Sequence, residues 1–446
     1  MLCYTVCVMA VTKKPIIIVG GGFAGLRLAR ILSRYRRRIP DNPALLLDRH
    51  THHVYTPLLY EVASGCTTPS ELAPALIRGA TFRFTEVIKT CCEVNFLHEE
   101  VVALDAAAKT VTTKSGVVLA YEKLALAVGA ETDFFNIPGL REKALTLKTR
   151  RDALVLRERI AACLKKKREG KEVLLNIFVG GGGATGVEFA AEIAGCFRQM
   201  ERRGALDRSD WSITLVEATP RLLGSLKTEY SARVKERLVK LGVKVHLDTC
   251  IKRVEGNHVV LAPRPLRAGE TIEELVCEFR AEFEKKFETD IIVWTGGVRG
   301  AAILEKFGLP LDRKGRVIVG GDQRLAGNPD IFVIGDSAAV TNPVTKETAP
   351  MLAQSATRQA EVAATQILAD LGVPVSRRSY DFPVYPAVIP LGGKQALAVI
   401  GQLSFPGFFG WLVRQAADFR YFLSILPWRR AITAFFHGAW LYTRND

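Results

Sequence analysis

What most constrains this 446-residue chain is a strand, glycine turn and helix grammar that occurs twice. In the first copy the apolar run Pro15-Ile16-Ile17-Ile18-Val19 enters Gly20-Gly21-Gly22-Phe23-Ala24-Gly25, after which Leu28, Ile31 and Leu32 mark one face of a helix. Gly20 permits the tight turn, Gly22 lets the backbone approach a pyrophosphate, and Gly25 lets helix and strand pack closely, with the helix N-terminus facing the phosphate charge. A second strand, Ala44-Leu45-Leu46-Leu47, ends in Asp48, whose carboxylate can take the ribose hydroxyls of an adenosine. The second copy runs from Leu174-Leu175-Asn176-Ile177-Phe178-Val179 into Gly181, Gly183, Ala184, Thr185 and Gly186, then into a helix with Phe189, Ile193 and Ala194. Its second strand, Ser212 to Val216, ends at Glu217. An acid there repels a 2′-phosphate and hydrogen-bonds a free 2′-hydroxyl, which predicts NADH over NADPH, although Arg221 could offset the repulsion. A lone glycine motif is weak; two in register predict an α/β chain with two Rossmann-like dinucleotide-binding domains.

Near the end of the second half, Asp330 to Val333 runs as a strand through Ile334 into Gly335-Asp336-Ser337-Ala338. A carboxylate at such a turn can bind ribityl hydroxyls, but alone it would more often be a helix N-cap. Lys and Arg number 61 against 46 acidic residues, a balance of +15 that favours an anionic partner. No recognised module or dense basic run accompanies it, so no nucleic-acid partner is expected. The nine cysteines form no CxxC pair and no metal-ligand spacing with the histidines, which predicts reduced thiols and no metal site. No uninterrupted run of about 20 apolar residues predicts a spanning helix. Met1 to Val11 reads as a short extension, Thr149 to Glu172 as a basic surface helix, and Pro263 to Glu288 as a charged excursion that is a helix or a hairpin.

Three motifs in that order resemble the two-dinucleotide-binding-domain flavoproteins, and further segments are similar to one branch, the type II NADH dehydrogenases that reduce quinone. The resemblance covers about residues 14 to 400. Its most distinctive stretch is His53-Val54-Tyr55-Thr56-Pro57-Leu58-Leu59-Tyr60-Glu61-Val62-Ala63, like the family's segment beside the flavin. Ala127-Val128-Gly129-Ala130 with Phe134 to Gly139 resembles the crossover out of the FAD domain, and Val293-Trp294-Thr295-Gly296-Gly297-Val298 the return. The implied α/β fold has an FAD-binding domain (12–145 and 299–385), an NADH-binding domain (146–298) inserted into it, and a C-terminal amphipathic, membrane-associated region (386–446).

By this resemblance FAD would be held by Gly20, Gly22, Phe23, Ala24, Gly25, Asp48, Pro57, Leu58, Ala127, Gly129, Gly335, Asp336, Ala353 and Gln354. NADH would be held by Gly181, Gly183, Ala184, Thr185, Gly186, Glu188, Glu217, Thr295 and Gly296. Trp294 to Gly297 and Pro57 to Tyr60 would wall the isoalloxazine. Glu188 matches a glutamate implicated in coupling proton movement to hydride transfer; by position alone it is a first-turn acid favoured by the helix dipole. Ala353-Gln354-Ser355-Ala356-Thr357-Arg358 resembles a quinone-site helix whose second glutamine is replaced here by Arg358, with Gln359 one later. The implied activity is oxidation of NADH and two-electron reduction of a membrane quinone in a respiratory chain, without proton pumping. The alternatives are an NADH-binding redox sensor and a flavin reductase with a non-quinone acceptor. A disulfide reductase would show Cys-x4-Cys after the first glycine motif, and a sulfide:quinone oxidoreductase a redox cysteine beyond Cys277; neither is present.

Trp411, Trp428 and Trp440 lie in the last 36 residues among Phe408, Phe409, Phe419, Phe422, Phe435 and Phe436, with Arg414, Arg420, Arg429 and Arg430 interspersed. Aromatic and arginine residues together suit a helix in the headgroup region, predicting peripheral attachment at the cytoplasmic face of the cell membrane. The same stripe could instead form a homodimer interface or cover the FAD domain.

Overall fold

The computed structural model describes residues 14–65, 73–91, 94–169, 174–263 and 284–442; Met1 to Val11, Cys66 and residues 264–283 of the charged excursion lie outside them. The excursion's end forms the strand Lys285–Glu288. The helices that frame the site are α1 (Phe23–Tyr35), α2 (Leu59–Ser64), α3 (Arg150–Arg168), α4 (Ala184–Arg202), α5 (Ala353–Asp370), α6 (Gly407–Ile425) and α7 (Trp428–Tyr442).

The first unit is built on Ile16–Val19, almost wholly buried, which pairs in parallel with Ala44–Asp48 on one side and Lys123–Leu126 on the other. Asn95–His98 and Asn328–Val333 extend the parallel set outward, and Arg324–Leu325, Val317–Val319 and Ala338–Val340 complete an eight-stranded sheet. Both faces are covered, which is why the central strands are continuous apolar runs. On one face Leu28, Ala29 and Leu32 of α1 pack with Ala356, Ala360, Ala363 and Ile367 of α5. The alanines let the two helices share the face with little intervening bulk.

In the second unit the strand order is Val243–His246, Trp211–Val216, Leu175–Gly180, Ile291–Trp294, all parallel. An antiparallel sheet of Thr249–Glu255, His258–Pro263 and Lys285–Glu288 accompanies it. The chain leaves and re-enters the first unit through an antiparallel ribbon, Ala130–Thr132 against Val298–Gly300, so the second unit is an insertion. α3 begins with a reciprocal cap: Thr149 accepts from the Asp152 backbone N–H, and Asp152 accepts from that of Thr149. The helix is basic outside but buries Ala153, Leu156 and Ile160 in a cluster shared with α2 and α4. Cys196 on α4 is disulfide-bonded, a correction to the expectation of uniformly reduced thiols, while Cys163 forms no disulfide.

Beyond α5 the strands Ala387–Pro390, Ala396–Ile400 and Leu403–Pro406 form a small antiparallel sheet, which α6 and α7 follow. Among the described residues no helix is long and apolar enough to cross a membrane.

Candidate functional site

The two glycine turns superimpose in their constraints. Gly20 and Gly181 have φ of +103° and +105°, a region that favours glycine. A Cβ on Gly25 would lie 1.8 Å from the Gly20 carbonyl oxygen, and one on Gly186 would lie 2.0 Å from that of Gly181. Helix and turn therefore touch backbone to backbone in both copies. Gly22 and Gly183 are different: a Cβ there would meet nothing within 4 Å. They are the N-caps of α1 and α4, and neither helix has a side-chain cap or an acid in its first turn. Unsatisfied N–H groups and the positive helix end thus face open space, which fits the pyrophosphate of a dinucleotide.

Each turn is backed by the acid that ends the next strand. Asp48 Oδ2 accepts from the Gly21 N–H at 2.6 Å, and Glu217 Oε2 accepts from the Gly182 N–H at the same distance. The other Glu217 oxygen accepts from Thr219 N–H, 2.8 Å away. Arg221 donates to Thr228 and to the Gly224 carbonyl, so its guanidinium is engaged away from Glu217. The Thr295 hydroxyl is placed between the carbonyls of Gly180 and Gly181, 3.0 and 3.1 Å off, and supports the second turn from beneath. Gly296 lies against Gly181, whose Cβ would come within 2.6 Å of the Gly296 Cα.

Asp336 sits in the short helical turn Gly335–Ser337 and does not act as an N-cap. Burial raises its pKa, while Lys148 and Arg316 act in the opposite direction. Two residues without a sequence signal hold that turn: Gln359 Oε1 accepts from the Gly335 N–H (2.7 Å), and Ser337 Oγ accepts from the Gly129 N–H (2.7 Å). Gln359 is 1% exposed, and its position one residue past Arg358 gave no hint of this role. Ala127 donates to the Val19 carbonyl and its own carbonyl packs on Gly20.

The segment from His53 to Glu61 is where the C-terminal region meets the rest of the molecule. His53 Nδ1 donates to the Gly21 carbonyl at 3.0 Å, and its Nε2 accepts from the Tyr421 hydroxyl at 2.6 Å. Burial lowers its pKa to about 4, so the ring is neutral and this tautomer follows from its partners. Tyr55 stacks on Tyr421 with centroids 4.6 Å apart and donates to Asp418 at 2.6 Å. Arg414 donates to the Pro57 carbonyl at 3.1 Å and forms ion pairs with Asp418 and Glu61 at 3.2 and 3.6 Å. Tyr60 donates to Glu61 at 2.7 Å, and Leu58 is buried beneath. Phe23 fits its ring among His53, Tyr55 and Tyr421.

Glu188, on the second turn of α4, keeps partial access to solvent. Desolvation raises its pKa to about 8; Arg414 pulls it down, and Glu61 and Asp418 push it further up. A carboxyl with that pKa can take and give a proton near neutral pH.

One sequence expectation needs correction, and two further residues have partners that the sequence did not show. Arg414, grouped with the headgroup-facing arginines, is 5% exposed, because Asp418 one turn on supplies an internal counter-charge. Trp294 does not stand free as a wall: it is 7% exposed, and its indole N–H donates to the Asp133 carbonyl at 2.6 Å, tying the outward crossing to the return. Arg358 shares a helix face with Gln354, but its guanidinium is held by Asp381 at 2.6 and 3.1 Å and by Glu361 at 3.5 Å. Gln354 is exposed and donates to the Pro386 carbonyl at 3.1 Å; Ala353 begins the helix. Among the described residues no group of His, Cys, Asp or Glu could hold a metal ion.

The family described as pyridine nucleotide-disulphide oxidoreductase matches residues 14–360, and the chain belongs to it. A type II NADH:quinone oxidoreductase of Mycobacterium tuberculosis is 30% identical over 423 residues, covering 90% of this chain and 82% of that protein. That similarity places the chain among the type II NADH:quinone oxidoreductases. Among solved structures, NDH2 from Plasmodium falciparum in complex with NADH aligns with a TM-score of 0.78 at 19% identity, over 96% of this chain and 98% of the other. The sulfide:quinone oxidoreductase of Aquifex aeolicus aligns with a TM-score of 0.71 at 17% identity, over 97% and 92%, and shares the fold.

Proposed function

We propose that the chain binds FAD on the first glycine turn and NADH on the second, oxidises NADH, and passes two electrons to a membrane quinone without pumping protons. The observation that carries this reading is the pair of open helix N-termini at Gly22 and Gly183, each backed by an acid at the adenosine end. When bound, the flavin supplies the chemistry: it accepts the hydride and gives electrons to the quinone.

The residues supply position and charge. Asp48 and Asp336 hold the two ends of the FAD, and Glu217 selects the free 2′-hydroxyl of NADH. Pro57 and Leu58 border the flavin site, and Glu188 exchanges the proton that accompanies hydride transfer. Gln354, exposed on α5, faces the acceptor, and Arg358 borders that site while Asp381 fixes its guanidinium. Phe408, Phe409, Leu412, Trp428 and Phe436 are exposed large apolar side chains on α6 and α7, and we assign them to the cytoplasmic surface of the membrane.

Anaerobic stopped-flow absorbance tests the reading. The purified protein is mixed with NADH and then with a short-chain quinone while the flavin band is followed. Rapid bleaching and rapid recovery are expected. Bleaching without recovery would move the acceptor to another class, and a colourless protein would overturn the assignment.

A further inference from the structure

The two glycine turns differ in how their middle residue is held. Its N–H is taken by the strand-end acid in both copies, Asp48 for Gly21 and Glu217 for Gly182. Its carbonyl is not treated alike. In the second turn the Gly182 carbonyl accepts from the Leu223 backbone N–H at 2.9 Å, a bond made within that unit's own loop. In the first turn the Gly21 carbonyl accepts from His53 Nδ1 at 3.0 Å, and His53 is 1% exposed. A carbonyl can only accept, so the single proton of the neutral ring sits on Nδ1, and Nε2 is left needing a donor. The Tyr421 hydroxyl of α6 supplies it at 2.6 Å. α6 is fixed against α1 at two further places. The Tyr421 ring lies 5.3 Å from that of Phe23, the first residue of α1, and Arg30 of α1 donates at 2.9 Å to the carbonyl of Ile425, the last residue of α6.

We infer that Tyr421 and His53 are positioning residues for FAD: through this chain of hydroxyl, imidazole and carbonyl, the C-terminal helix holds the first turn in its cofactor-binding shape, whereas the second turn is held from within its own unit. The inference rests on the proposed seat of FAD on the first turn. Gly21 and Gly22 are joined by one planar peptide, in which the Gly21 carbonyl and the Gly22 N–H point in opposite directions. Fixing the carbonyl on His53 therefore fixes the Gly22 N–H at the N-terminus of α1, where a pyrophosphate needs donors already aimed. Glycine has little conformational preference of its own, so that aim has to come from its partners. Asp48 on the N–H of Gly21 and His53 on its carbonyl pin both peptide planes. Retention of FAD thus depends on α6 being docked, and retention of NADH does not.

The test compares FAD release from the loaded protein, followed by the rise in flavin fluorescence after dilution, with the affinity of the oxidised protein for NAD+, followed by equilibrium titration. Tyr421→Phe keeps the ring against Tyr55 and Phe23 and removes only the hydroxyl. FAD release should quicken about three- to tenfold, what one buried hydrogen bond is worth, with NAD+ affinity unchanged. His53→Leu removes both bonds and should quicken release further; if that variant does not fold, Tyr421→Phe decides alone. Ring-nitrogen NMR of the histidine-labelled protein reads the bond itself: one Nε2 resonance should move in Tyr421→Phe toward the position of an unbonded imidazole. An unchanged release rate in Tyr421→Phe, histidine resonances that stay put, or an equal weakening of FAD and NAD+ overturns the inference. A parent protein that is colourless when purified removes the FAD reading instead.

Discussion

At the scale of single residues, the carboxylates carry the sharpest consequences. Glu217 holds the Gly182 and Thr219 backbone N–H groups, and Arg221 is engaged with Thr228 and Gly224, so that arginine is not placed to neutralise its repulsion of a 2′-phosphate. Glu217→Ala should lower the NADH-to-NADPH ratio of kcat/KM by about tenfold, the equivalent of roughly one charge-assisted hydrogen bond; an unchanged ratio would refute the assignment. Glu188 gives a prediction that needs no substrate. Its folded pKa is about 8 against an ordinary 4.5, so the fold binds more protons than the unfolded chain between those values. Stability contributed by this group is therefore lost as pH rises from about 4.5 through about 8. Glu188→Gln should raise Tm over the parent more at pH 9 than at pH 6, and thermal melts at the two pH values check it.

At the scale of elements, the glycine turns and the C-terminal helices behave differently. A Cβ on Gly186 would lie 2.0 Å from the Gly181 carbonyl oxygen, which is backbone and cannot turn aside, and 2.7 Å from the Thr295 hydroxyl, so Gly186→Ala should abolish NADH binding while the yellow colour of the first unit survives; equilibrium titration with NADH reads the outcome. These turns were legible in the sequence because their chemistry is local: strand, glycines and acid follow one another within each copy. The partners of the C-terminal helix were not legible, because they lie more than 300 residues away. His53, Tyr55 and Pro57 meet Tyr421, Asp418 and Arg414 only after folding. The Arg414 and Asp418 spacing of four was the available signal, since an ion pair one turn apart is ambiguous until burial is known. Gln359 was missed for a related reason: its partner is a backbone N–H, which leaves no trace in sequence.

At the scale of the whole molecule, one apolar cluster runs through α2, α3 and α4 into Ile389, Phe422 and Ala431, joining both nucleotide units to the C-terminal region. Deleting everything from Gly407 onward would therefore remove part of the core along with any surface for lipid. Phe409→Glu with Trp428→Glu is the cleaner test, since these side chains are 69% and 62% exposed. The double variant should stay folded and leave anionic vesicles in a flotation assay, and continued tight binding would show that these residues are not the anchor. The ribbon of Ala130–Thr132 and Val298–Gly300 has a different kind of consequence. Its antiparallel pairing sets Thr132 directly opposite Val298, about 5 Å away at the Cα atoms. All eight strands of the large sheet lie outside residues 133–297. Replacing that whole stretch by an Asn-Gly turn would close a hairpin without changing one strand neighbour. Adjacent ends of this kind are what splicing one gene segment into the middle of another requires.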